Sequence, residues 1–152
     1  MIKRLIPLAL FLTLLFPAVT IVRAEGDKPA VKEADQTELG KSMDQIGKAW
    51  RKLRKQVADP ASNASSLELV ATIKDATEKS LTLQPDKTRD LAEGDRAKYV
   101  EAYRDKMKEF IATLAKLADA IKAGDNPGAV KLVADLGAVQ KEGHKEFKRP
   151  DK

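Results

Sequence analysis

The thioether of Met43 and the imidazole of His144 are two side chains in this sequence that could bind a transition metal together. His144 is the only histidine among 152 residues, and the chain has no cysteine. The missing thiols exclude thiolate zinc sites, iron–sulfur clusters and covalently attached haem. One histidine also excludes a carboxylate-bridged di-metal bundle, which needs a Glu-x-x-His motif on two helices.

A thioether facing an imidazole suits one metal group above most others, the iron of a haem with histidine and methionine as its axial ligands. Zinc would require further nitrogen, sulfur or carboxylate ligands nearby. Each residue also has a simpler interpretation. Met43 can be a core filler, and His144 can be a partly exposed histidine whose cation complements a helix C-terminus. The haem hypothesis therefore depends on whether the fold brings the two residues to the same position along the bundle axis.

The elements that must position these residues are four stretches in which apolar residues recur at a helical period. Proline or glycine follows most of them, as expected for helix ends. The second stretch is the weakest of the four. The stretches run from about Thr37 to Val57, from Ser66 to about Leu83, from about Gly94 to Ala123, and from Pro127 to about Lys148.

Four amphipathic helices with mostly short connections and no strand signal predict an all-α, antiparallel up-down-up-down four-helix bundle over residues 37–149. A bare coiled coil is the alternative, and the helix-breaking connectors disfavour it. In the bundle, the start of the first helix and the end of the fourth share one end. At ~1.5 Å per residue, Met43 and His144 then lie ~9 Å and ~6 Å from that end, both on core-facing stripes.

The same end of the bundle supplies candidate pocket residues. Gln140 and Gly143 flank His144 on the fourth helix. Glycine costs about 1 kcal/mol relative to alanine in a helix, but its missing side chain can admit the edge of a flat macrocycle. The expected walls come from the second and third helices and are formed by Thr77, Leu81, Tyr99, Tyr103 and, deeper, Met107.

Met107 is the rival sulfur ligand. It lies about thirteen residues into the third helix, ~20 Å from the end that His144 shares. That depth is too great for it to face the imidazole, so we interpret Met107 as pocket wall.

The first 24 residues predict a cleaved secretory signal peptide, because Lys3 and Arg4 precede an apolar run and Ala24 ends a cleavage site. An uncleaved membrane anchor is the alternative. Residues 25–36 look like a flexible leader. Cleavage removes three basic residues and no acid, which leaves 25 basic against 23 acidic residues and a net charge of +2 instead of +5. That balance gives no electrostatic argument for nucleic acid, and we expect no membrane association after cleavage.

From about Leu39 to Lys148 the sequence resembles the soluble cytochrome b562 family. The resemblance is carried by Leu39-Gly-Lys-Ser-Met43 and by Gln140-Lys-Glu-Gly-His144-Lys-Glu-Phe-Lys-Arg149. In that family the first methionine and the last histidine are the axial haem ligands, which implies these roles for Met43 and His144.

Some positions differ from the family and its relatives. The related cytochromes c′ attach haem through Cys-x-x-Cys-His, and Gln140 and Gly143 stand at the two cysteine positions here. Tyr103 and Met107 stand where the family has pocket phenylalanines, and Gly143 replaces the aromatic residue usually found just before the histidine. The resemblance thus implies a b-type site with an altered pocket.

The function implied is that of an electron carrier, not an enzyme. It would bind one non-covalent haem b (iron protoporphyrin IX) with both axial positions filled, and pass electrons between redox partner proteins in the periplasm as a monomer or weak dimer. The alternative is a haem-free periplasmic bundle acting as a binding or stress-response module. The 34% content of charged residues and the substituted pocket support that alternative.

Overall fold

The computed structural model describes residues 37–149, which form four α-helices and two 3₁₀ turns with no strand among them. The expected all-α four-helix class is confirmed. The predicted signal peptide and leader, residues 1–36, lie outside the described residues. The helices are α1 (Glu38–Gln56), α2 (Asn63–Ser80), α3 (Glu93–Lys122) and α4 (Asn126–Phe147), and the 3₁₀ turns are Pro60–Ser62 and Asp86–Asp90.

Side-chain caps begin the two helices that carry the candidate ligands. At the start of α1, the Thr37 hydroxyl accepts a hydrogen bond from Gly40 N at 3.1 Å. At the start of α4, the Asp125 carboxylate accepts one from Gly128 N at 2.9 Å. Both bonds satisfy amide groups that have no partner inside the helix. Gly124, with φ of 72°, makes the sharp reversal between α3 and α4.

The second helix begins earlier than the sequence predicted, at Asn63 rather than Ser66. The Asp59 carboxylate accepts a hydrogen bond from Ala61 N at 3.0 Å and so starts the Pro60–Ser62 turn. Because that turn leads straight into α2, the connector expected there is already helical.

The core lies between the helices, but the four helices do not approach each other equally. Backbones pack closely in the pairs α1–α2, α2–α3 and α3–α4, whereas those of α1 and α4 hardly come within 8 Å of each other. The α1–α4 face is therefore filled by side chains. The largest fully buried apolar side chains are Leu53, Ile73, Leu114, Leu117, Ile121 and Leu136.

The core-facing stripe of α4 differs from the one predicted. Val130 is 42% exposed, and His144, which the sequence placed on a core-facing stripe, is also exposed. Ala129 and Leu136 are fully buried instead. Burying apolar surface stabilises the folded state. Helix α4 therefore turns Leu136 inward, in preference to the predicted stripe, which contains Gly137, Gln140 and His144. His144 consequently lies at the edge of the core-facing stripe.

At the end of the bundle remote from Met43, asparagine amides join several helix termini. Asn126 Nδ2 donates to Val57 O and to Asn63 Oδ1, both at 2.8 Å. Asn63 Nδ2 donates to Ile121 O at 3.4 Å. The ends of α1 and α3 and the starts of α2 and α4 therefore meet here. An up-down-up-down path requires that set of ends, and we infer that path from it.

Candidate metal centre

The Asp86–Asp90 turn ties together the two helix ends that carry Met43 and His144. Thr37 Oγ1, at the start of α1, donates to Asp86 Oδ2 at 3.4 Å. Lys87 Nζ donates to Glu146 O, in the last turn of α4, at 2.7 Å. A single short turn between α2 and α3 thus contacts both ends.

Further contacts secure the end of α4 on the same side. Tyr99 Oη, from the first turns of α3, also donates to Glu146 O, at 2.9 Å. Arg149, just after α4, pairs with Asp90 of the turn. Met43 comes six residues after Thr37 and His144 two residues before Glu146, so both lie close to this end of the bundle.

A contact between α1 and α4 indicates their register. A Cβ placed on Gly137 would lie 3.9 Å from Cζ2 of Trp50. Met43 is seven residues before Trp50, and His144 is seven residues after Gly137. Seven residues make nearly two helical turns, so each residue stays near the face of its contact and lies about 10.5 Å farther along the axis. In antiparallel helices, both displacements point to the same end.

The two candidate ligands differ in burial. Met43 is half-buried and packs against the core, whereas His144 is exposed. No hydrogen bond joins the thioether to the imidazole in the described structure. From the register of α1 and α4 we infer that the two residues lie at a similar level of the bundle, without direct bonding between them.

The His144 imidazole is partly screened from water although the residue as a whole is exposed. This desolvation lowers the pKa of His144, and the nearby Lys148 cation lowers it further. Both effects favour the neutral imidazole, which is the form that binds metals.

Open space lies beside each candidate ligand. A Cβ on Gly143 would meet nothing within 4 Å. On α1, a Cβ on Gly47, one turn after Met43, would meet only the Arg51 guanidinium, at 3.6 Å. Gly47 was not among the candidates taken from the sequence, although a glycine one turn from the methionine was a usable signal. At Gly47 and Gly143, neither helix therefore places a side chain next to its candidate ligand.

An aromatic cluster lies between α3 and α4 at this end. The rings of Tyr99 and Tyr103 lie 5.2 and 5.5 Å from that of Phe147, measured between centroids. Tyr103 is 3% exposed, and its hydroxyl donates to Ser80 O at 3.3 Å. Burial raises the pKa of Tyr103 to about 12. Phe147, which was not among the pocket candidates taken from the sequence, is the centre of this cluster.

The remaining pocket candidates are less enclosed. Met107, one turn deeper than Tyr103, and Gln140, one turn before His144, are both half-buried. Thr77 is fully buried, with its hydroxyl bonded to Ile73 O at 2.7 Å. It therefore presents no free polar group to the site.

Other kinds of site have little support in residues 37–149. No group of three or more histidine, cysteine or acidic side chains there could hold a metal ion. No helix in the same part of the chain combines the length and the apolarity needed to cross a membrane.

Comparison with known proteins identifies the family. The cytochrome b562 family model matches residues 38–148, from the first residue of α1 to just past the last of α4. The chain belongs to the cytochrome b562 family. Proteins of this family are electron carriers with a b-type haem. Searches of curated proteins and of solved structures return no match.

The residues present fit the haem of a cytochrome b562. Thioether and imidazole are an axial pair found in cytochromes. The glycines at positions 47 and 143 leave room beside these donors. The absence of cysteine fits non-covalent attachment.

Proposed function

We propose that this chain holds one haem b non-covalently between Met43 and His144 and carries single electrons between partner proteins in the periplasm. The register of α1 and α4 supports the proposal most, because it implies a common level for the two residues. The Asp86–Asp90 turn joins their helix ends, and the Trp50–Gly137 contact gives the register.

When bound, haem supplies a one-electron iron couple, and the protein determines its position and ligands. His144 is the stronger donor of the proposed pair. The Met43 thioether would favour ferrous iron and raise the reduction potential. If Met43 and His144 both held the iron, no ligand position would remain for a substrate, which is why we propose a carrier rather than an enzyme.

We expect the surrounding residues to limit access of water to a bound haem. Tyr103 contributes a buried aromatic wall at the α3 side, and Met107 extends that wall inward. Gln140 and Gly143 lie beside His144 on α4. Gly143 and Gly47 have no side chain, so their role at the site would be to leave space for the haem rather than to contact it. Exclusion of water around a haem strengthens the influence of its axial ligands on its reduction potential.

The periplasmic location rests on the signal peptide proposed for residues 1–24. We expect the secreted protein to begin at Glu25, and the intact mass of the exported chain checks this. A full-length chain recovered in the membrane fraction would support the uncleaved anchor instead.

The ligand assignment is tested with three substitutions compared by visible spectra of both redox states. We expect His144→Ala to lose haem almost entirely, because a b-type site has no covalent link to retain it. We expect Met43→Ala to keep some haem in a high-spin form with a lowered potential. Met107→Leu is the matched control, a nearly volume-conserving change that typically costs under ~1.5 kcal/mol.

Far-ultraviolet circular dichroism establishes that the helices persist in each variant. A high-spin spectrum from Met107→Leu together with a low-spin spectrum from Met43→Ala would reassign the sulfur ligand. Wild-type spectra from all three variants would contradict the assignment of Met43 and His144 as the axial ligands. Folded wild-type protein that binds no haem would favour the haem-free bundle.

A further inference from the structure

The second half of α1 carries a dense group of cations, which we call the α1 basic face. Within residues 48–55 there are five basic residues and no acidic one. All five are exposed, and none forms an ion pair or side-chain hydrogen bond with another residue of 37–149. The face consists of Lys48, Arg51, Lys52, Arg54 and Lys55.

The positive charge of the described chain is concentrated on this face. Residues 37–149 contain 22 basic and 18 acidic residues. Without the five cations of the α1 basic face, 17 basic residues stand against 18 acidic ones. The rest of the bundle is therefore close to neutral.

The folded chain itself gives only a partial reason for this clustering. Arg54 and Lys55 lie in the last turn of α1, where cations complement the helix dipole. Lys48 and Lys52 lie too far from that terminus to benefit. They are four residues apart on one helix, a spacing at which like charges repel. The nearest acidic residue along α1 is Asp44, four residues before Lys48, whereas Lys52 has no acidic residue three or four positions away on the helix.

The surface around these cations is concave. A groove of about 540 Å³ lies between α1 and α2, and its α1 side carries three cations and one carboxylate, those of Lys41, Lys48, Lys52 and Asp44. Leu69 and Thr72 of α2 contribute to its opposite wall. Acidic side chains on a partner can therefore approach the cations from more than one side.

The features of the face favour a protein partner over other anions. Val130, on α4, is the only large apolar side chain that is exposed among residues 37–149, so nothing near the α1 basic face inserts into a bilayer. The one aromatic residue within positions 48–55, Trp50, is buried, so no ring there is free to stack on nucleobases.

We infer that the α1 basic face is a docking surface for an acidic patch on a partner protein. The face begins five residues after Met43, about 7.5 Å along the same helix. A partner seated on it lies close to the proposed haem site, but the inference stands on charge and exposure and does not require haem.

The test uses the secreted protein without haem and immobilised poly-L-glutamate as the acidic probe. Lys48→Glu/Lys52→Glu reverses two charges on the face. The matched control, Lys116→Glu/Lys131→Glu, makes the same change in net charge at two exposed lysines of α3 and α4. We expect the first variant to weaken binding at least tenfold and the control less than twofold, with wild-type binding steeply reduced by salt.

Several outcomes would overturn the inference. An equal loss in both variants would mean that only net charge matters. Wild-type protein that binds anionic phosphatidylglycerol vesicles or duplex DNA more tightly than poly-L-glutamate would assign the face to a lipid or nucleic-acid partner. Circular dichroism shows that both variants remain helical. Because no haem is present, failure of the proposed electron-carrier function leaves this result unchanged.

Discussion

The two proposed iron ligands have different surroundings in the folded protein. The Met43 thioether already packs against the core, so its position is restrained before any ligand binds. The exposed His144 side chain has no hydrogen-bond partner within residues 37–149, and its backbone is held through the anchored end of α4. We therefore infer that the methionine side is the more pre-organised of the two.

Gly47 provides a test that separates haem binding from folding. We expect Gly47→Leu to block haem binding, because the new side chain would fill the space beside Met43. The apo protein should gain up to about 1 kcal/mol, because glycine is a poor helix former and the new Cβ meets only the flexible Arg51 side chain. Haem titration and urea unfolding of the apo protein measure the two effects.

The control for this substitution is Gly94→Leu. Gly94 lies in the first turn of α3, where a Cβ meets nothing within 4 Å. This change should leave haem binding intact. Full haem affinity in Gly47→Leu would show that the space beside Met43 is not used.

Tyr103 makes stability depend on pH in the alkaline range. Its pKa is about 12 in the folded protein, against about 10 when unfolded. Because the folded pKa is the higher, the contribution is fully present below pH 10 and is lost as the pH rises through 12. The loss relative to Tyr103→Phe should be on the order of 2 kcal/mol. Urea unfolding of both proteins between pH 8 and 12 measures it, and parallel stability curves would contradict it.

At the scale of elements, connections rather than long helix–helix contacts position the site. The backbones of α1 and α4 hardly approach each other, yet these helices carry the two proposed ligands. Their relative placement depends on the Asp86–Asp90 turn at one end and on Asn126 at the other. Between those ends, Trp50 fills the interface against Gly137.

Removing the asparagine contact should loosen the end of the bundle that is remote from the site. Asn126→Ala deletes the donor to Val57 O and Asn63 Oδ1, and we expect a loss of about 1–3 kcal/mol because these acceptors lose a buried partner. Denaturant unfolding measures the loss. Asn126→Asp keeps the shape but not the donor, so it should be at least as destabilising. A stable aspartate variant would indicate that shape, not hydrogen bonding, matters here.

At the scale of the whole molecule, a core of four helices must be stable without any disulfide, because the chain has no cysteine. The core is continuous from the Trp50–Phe110 ring contact, with centroids 6.4 Å apart, to the far end of the bundle. The backbones of α1 and α4 hardly approach each other, so a group bound between them would add contacts that these helices do not make themselves.

Haem should therefore raise the stability of the whole bundle. A ligand that binds only the folded state stabilises it by mass action, by about 2.7 kcal/mol when free ligand is 100-fold above the dissociation constant. We expect a higher midpoint in thermal unfolding with haem than without it, and a smaller shift for His144→Ala. Equal midpoints with and without excess haem would count against the proposed site.

The sequence alone determined the helices, most of their ends and the candidate ligands. Apolar periodicity and capping residues act locally, so α1, α3 and α4 begin and end within one residue or so of the predicted bounds. The predicted helix ends also gave the number of residues between Met43 and the start of α1, and between His144 and the end of α4. The donor pair was recognisable because the chain offers one histidine and no cysteine.

Only the tertiary structure decided how each helix is turned and what lies beside the site. The rotation of α4 depends on the apolar area that all four helices bury together, which is why Val130 and His144 lie away from the core. The roles of Gly47 and of the Asp86–Asp90 turn depend on residues that are distant in sequence. A periodic pattern records which residues share a face, but competition among neighbouring helices determines which face is buried.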